Sequence, residues 1–91
     1  MDSMAWMELE ETVKLMESSD YKERFKAEYL QTKIRYERLK KFNNRIEAAE
    51  MMNQKGPQHD CPSFLLQNQQ HVMGDYLHIL EIRAEIEGIE L

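Results

Sequence analysis

The stretch YKERFKAEYLQTKIRYERLKKFNNRIEAAEMM, Tyr21 to Met52, contains no Gly or Pro and is rich in Lys, Glu, Arg, Leu and Ala. These residues lose little rotamer freedom in a helix, so the stretch is predicted to form one long, unbroken helix. Its apolar pattern has the matching period. Phe25, Tyr29, Thr32, Tyr36, Leu39, Asn43 and Ile46 follow alternating steps of four and three, the spacing of a heptad seam. Ala27, Leu30 and Ile34 fall on nearly the opposite side. A helix with apolar residues on two faces needs two neighbours.

The segment before it offers one such neighbour, docked either on its own hairpin or on that of another copy. Trp6, Leu9, Val13 and Met16 recur at steps of three and four and place a stripe along a short N-terminal helix, with Glu8, Glu10, Glu11 and Glu17 elsewhere. Ser18, Ser19 and Asp20 interrupt that pattern, and Asp20 with Glu23 has the spacing of a capping box. The other neighbour follows the loop Lys55 to Asp60, with Pro62 acceptable in a first helical turn. A third helix runs to Glu87, with Gly88 placed as a left-handed cap and Gly74 costing stability inside it. Its seam is Leu66, Gln70, Met73, Leu77, Leu80 and Ala84. A second set, Leu65, Val72, Tyr76, Ile79, Arg83 and Ile86, widens the apolar surface beyond what one partner helix covers.

The expected fold is therefore all-α: an antiparallel helical hairpin with an additional N-terminal helix, assembled with copies of itself into a helical homo-oligomer. Residues 1–19 form the N-terminal amphipathic helix, and residues 20–91 form the hairpin, with helices at about 21–53 and 62–87. Packing within the hairpin or between copies is assigned to Trp6, Phe25, Leu39, Ile46, Leu66, Met73, Leu77 and Leu80. Ninety-one residues make one small domain. A single cysteine, Cys61, excludes an internal disulfide, and no apolar run approaches the roughly 18 residues of a membrane span. The first residues lack the pattern of a secretion signal, so a cytoplasmic protein is expected.

The net charge of −5 conceals a basic middle. Ten of the twelve Lys and Arg lie between Tyr21 and Lys55, where five Glu leave +5, and each flanking segment carries −5. Lys33, Arg35, Tyr36, Arg38, Lys40, Lys41 and Arg45 offer cations and a ring suited to phosphates and a base. The same charges also suit a solvated helix with pairs such as Glu37 with Lys41. An acidic chain argues against duplex nucleic acid. Arg83, among apolar neighbours, requires a carboxylate partner or an anionic ligand.

Other chemistry is sparse. His71, Asp75 and His78 share a helical face, but the two His lie roughly 10 Å apart along the axis, too far for one ion without further ligands. His59 and Cys61 suggest a base and a nucleophile, yet no third group orients the His and no oxyanion turn is present. No catalytic residue, metal site or cofactor is expected.

The start Tyr21, Arg24, Glu28 and Tyr29 leads into a Leu- and Lys-rich helix. The second half carries Cys61-Pro62, Leu65-Leu66, Gln69, Met73, Tyr76-Leu77, Ile79-Leu80-Glu81, Arg83-Ala84-Glu85 and Ile89-Glu90-Leu91. In these features the chain from Tyr21 onward resembles a family of short phage and prophage helical-hairpin proteins related to a crAss-like-phage protein. The resemblance implies a phage or prophage origin and action in the cytoplasm of the host cell. It carries over no catalytic residues. Accessory phage proteins of this size often counter host defence by binding, so the expected function is non-enzymatic sequestration of a nucleotide signal or a host defence protein. Tyr29, Arg35, Tyr36, Arg38 and Arg83 are the candidate ligand contacts. The alternative is a structural or assembly helper that acts only through helix to helix oligomerisation.

Overall fold

The computed structural model describes residues 2–91, with side chains from Leu9 onward. Trp6 precedes that point, so its expected packing lies outside the described residues. Three helices are present among the described residues, α1 (Asp2–Met16), α2 (Tyr21–Met51) and α3 (Ser63–Glu87), and the fold is all-α. Both α1 and α3 pack on α2, and among the described residues they do not approach each other. Thus α2 is the middle element, with its two apolar faces serving two different neighbours. At 31 residues it is about 46 Å long and spans most of the 50 Å axis of the molecule. Among the described residues no helix is long and apolar enough to cross a membrane.

The helix ends follow local hydrogen bonding. Asp20 is extended (φ −82°, ψ 121°) and its carboxylate accepts from the Lys22 amide at 3.0 Å. Only this half of the expected capping box forms, because the Asp20 amide donates to Ser18 Oγ at 3.0 Å rather than to Glu23. Arg24 also donates to the Ser18 carbonyl at 2.9 Å, fixing the turn between α1 and α2. At its far end α2 stops at Met51, two residues earlier than expected. Asn53 takes the left-handed conformation (φ 56°), and the Gln54 amide closes on the Ala49 carbonyl at 2.8 Å. Asn tolerates that conformation better than other residues with a Cβ, and so it ends the helix before the glycine-containing loop begins. Gly88 caps α3 at φ 70°, and the Ile89 amide donates to the Ala84 carbonyl at 2.8 Å.

That cap folds Ile89 back into the main core, which comprises Phe25, Tyr29, Leu77, Leu80, Ala84 and Ile89, with Leu30 and Tyr36 against it. Ile46 is buried, while Leu39, Leu66 and Met73 are half-buried on the same α2–α3 seam. Asn43 is buried there too, donating to the Leu66 carbonyl at 3.1 Å and to Gln70 Oε1 at 2.9 Å. These bonds fix the longitudinal register of the two helices, because a one-turn slip would strand the amide in an apolar seam.

The α1–α2 interface differs from the expected stripe. Val13 and Met16 are each 50% exposed, whereas Thr12 is fully buried, as is Ala27 of α2. Thr12 Oγ1 donates to the Leu9 carbonyl at 2.6 Å and accepts from Gln31 Nε2 at 3.1 Å. Its hydroxyl is thereby satisfied, and it packs inward as a small β-branched residue. The helix is rotated so that Leu9, Thr12 and Leu15, rather than Leu9, Val13 and Met16, turn toward α2.

Candidate functional site

A groove runs along one side of the α2–α3 hairpin. Its middle section, about 180 Å³, is lined by Tyr29, Lys33, Tyr36, Glu37, Gly74, Leu77, His78 and Glu81. It continues through Tyr29 and Glu81 into a cleft of about 660 Å³ that also involves Lys26, Glu85 and the tail from Gly88 to Leu91. In the other direction it continues through Tyr36 and Gly74 into a cleft of about 500 Å³ with Gln67, Gln70, His71 and Asp75. Two tyrosine rings spaced one heptad apart therefore form part of a continuous floor.

Helical phase explains this composition. On α2 the residue one step before Tyr29 by a turn, Lys26, and the residues four beyond Tyr29 and Tyr36, Lys33 and Lys40, form a basic row at intervals of seven beside the aromatic floor. On α3 the opposite rim carries His71, His78, Glu81 and Glu85. Gly74 lets the two helices meet closely at Tyr36: a Cβ built on it would stand 3.3 Å from Tyr36 Cε1. The glycine that weakens α3 thus provides the space in which one edge of the Tyr36 ring lies.

Tyr29 is buried and donates its hydroxyl to Glu81 Oε2 at 2.6 Å. Desolvation is the larger cause, and the hydrogen bond to the carboxylate the next, that pushes the Tyr29 pKa up to about 12. The phenol remains neutral and ties the floor to the acidic rim. Lys33 Nζ lies 5.7 Å from the Tyr29 ring centroid, within cation–π range, and is itself exposed. The site therefore offers an aromatic surface at Tyr36, the ammonium groups of Lys26 and Lys33 on α2, and hydrogen-bond acceptors on α3.

Of the five candidate contacts, the structure brings Tyr29 and Tyr36 together in this groove and leaves the three arginines outside it. Arg35 is exposed on the other edge of α2. Arg38 is exposed on the continuation of the α1-facing line through Ala27, Gln31 and Ile34. Arg83 is engaged elsewhere: Nε donates to Glu87 Oε2 at 3.0 Å, Nη2 donates to the Tyr21 hydroxyl at 2.6 Å, and the guanidinium lies 4.9 Å from the Phe25 ring centroid. The Glu87 hydrogen bond is the main reason the Arg83 pKa is raised, while the Tyr21 hydroxyl is the main reason the Glu87 pKa is lowered. This set joins the end of α3 to the start of α2. The sequence places Lys22, Lys26, Lys33 and Lys40 on one side of α2 and singles out Gly74 and His78 for other reasons, but it assigns none of them, nor Glu81, to a groove beside the tyrosines. The seven-residue interval of Lys26, Lys33 and Lys40 beside Tyr29 and Tyr36 was the available signal.

The remaining basic residues are solvated. Among the described residues the ion pairs are His71 with Asp75 at 3.5 Å and Arg83 with Glu87, so Glu37 and Lys41 do not form the expected pair. His59 Nδ1 is hydrogen-bonded to the backbone carbonyl of Cys61 rather than to its thiol, and its ring meets Phe42 edge-on. Among the described residues no three His, Cys, Asp or Glu side chains converge as metal ligands.

The model of the Sequestin family matches residues 19–86, about three quarters of the chain. No curated protein and no solved structure matches. The matched span contains all of α2, nearly all of α3 and every groove residue from Lys26 to Glu85, and it omits α1. On that match over the hairpin that builds the groove, the chain belongs to the Sequestin family.

Proposed function

We propose that this protein works by binding rather than turnover: a phage or prophage accessory protein that sequesters a small anionic nucleotide of the host in the Tyr29–Tyr36 groove and so blunts a defence signal. The protein would act in the host cytoplasm as a homo-oligomer. The observation that carries the reading is the juxtaposition of the Tyr36 ring, placed by Gly74, with the exposed Lys33 ammonium beside Tyr29. A base has a π face to stack on a tyrosine, and phosphates have the ammonium groups of Lys26 and Lys33 at the Tyr29 end of the floor. The family name supports the sense of sequestration, and the groove supplies a chemistry for it.

The test is calorimetric titration of the full chain with mono-, di- and cyclic nucleotides, alongside native mass spectrometry of protein recovered from a host extract. Tyr36→Ala removes a stacking surface that contributes about 1–3 kcal/mol per base, so affinity should fall roughly 5- to 150-fold. Lys33→Ala should weaken binding and flatten its dependence on salt. Absence of any bound or captured nucleotide would sink the reading. The exposed apolar stripe on α3 favours the second reading, an assembly helper acting through helix association, which would then stand, with a host protein as the other partner class to examine.

A further inference from the structure

The outer face of α3 is apolar and uncovered. Leu65, Val72, Ile79 and Ile86 are spaced seven residues apart and are 47%, 56%, 54% and 79% exposed. Among the described residues they belong neither to the face that meets α2 nor to any surface α1 reaches. Phe64 and Ile82 add further exposed apolar area along one flank, 71% and 47% exposed. Six large apolar side chains, each about half exposed or more, thus share one side of the helix, a cluster of the kind that marks an interaction site.

The whole molecule has a matching excess. Its accessible surface is 7042 Å², whereas a compact protein of 10.9 kDa exposes about 5,600 Å². Its radius of gyration is 15.8 Å, against about 12 Å for a compact chain of this length. A membrane surface is a poor occupant, because Arg83 is the sole Lys or Arg of α3 and is held by Glu87 and Tyr21. A second copy of the same stripe fits well. The stripe recurs every seven residues along α3, and a two-fold axis would set it against the same stripe of a second copy.

We infer that the outer face of α3 is a homodimer seam, in which the Leu65, Val72, Ile79 and Ile86 stripe packs on the same stripe of a second copy. The inference rests on the reading of the protein as a homo-oligomer and is independent of the ligand. Light scattering and sedimentation of the full chain at micromolar concentration should give twice 10.9 kDa. Val72→Glu with Ile79→Glu should reduce this to the single-chain mass with the far-ultraviolet helix signal retained. Val72→Ala with Ile79→Ala, which keeps helix propensity, should raise the dimer dissociation constant at least tenfold. A monomeric unsubstituted chain, or alanine variants that associate unchanged, would overturn the seam. Calorimetry on the same samples separates the two readings: a monomer that binds nucleotide overturns the seam alone, and a dimer that binds none overturns the nucleotide reading alone.

Discussion

At Gly74, stability and binding pull in opposite directions. Ala in place of Gly inside a helix is worth up to about 1 kcal/mol, but the added methyl would stand 3.3 Å from the half-buried ring of Tyr36 and push it outward. Gly74→Ala should therefore leave thermal stability unchanged or slightly raised while weakening nucleotide capture, measured by melting and titration on one sample. Tyr29 makes a prediction in pH. Its folded pKa of about 12 lies above the value near 10 expected in the unfolded chain, so its contribution is fully present below pH 10. That contribution, roughly 2–3 kcal/mol, is lost as pH rises from 10 toward 12. Tyr29→Phe should remove this part of the alkaline loss from denaturant titrations, and an identical alkaline slope would refute it. The aromatic half of the site was legible in the sequence because Tyr29 and Tyr36 share a heptad seam. The arginines lie outside the groove because charge density along a chain says little about helical phase, and Arg83 has the carboxylate partner its surroundings called for, Glu87, four residues on, with the Tyr21 hydroxyl 62 residues away completing the set.

Among the elements, the α2–α3 seam was readable and the α1 face was not, for a physical reason. Leu66, Gln70, Met73, Leu77, Leu80 and Ala84 recur at helical spacing and are the residues that turn toward α2. In α1, hydropathy favours Val13 over Thr12, yet Thr12 is buried because its hydroxyl is satisfied by Leu9 and Gln31 and its small volume suits close approach beside Ala27. Neither partner is visible in hydropathy. Asn43 shows the same effect in the other seam, where a polar residue in an apolar pattern is a register device. Asn43→Ala should cost about 1–3 kcal/mol by abandoning Gln70 and leaving a small cavity, read from urea unfolding at constant m. A cost below a few tenths would mean that water replaces the amide. The turn at Asn53 was missed because Gly56 drew the expected boundary beyond it, although Asn is the next best residue for a left-handed cap.

At the scale of the whole molecule, shape and charge follow from putting one long helix in the middle. Two neighbours that do not meet among the described residues give an elongated body and a thin core. The opposite charges of α2 and its neighbours act at a distance, since among the described residues no ion pair links α2 to α1 or α3. The lysines of the basic row beyond Lys26 are exposed to solvent. The hairpin tip carries one further asset, the chain's single cysteine, exposed at Cys61 and remote from both the floor of the groove and the middle of the outer stripe. A dye placed there reports direction by resonance energy transfer. Two copies paired side by side in the same sense would hold their labels close together, whereas a reversed pair centred between Asp75 and Tyr76 would hold them roughly 40–45 Å apart.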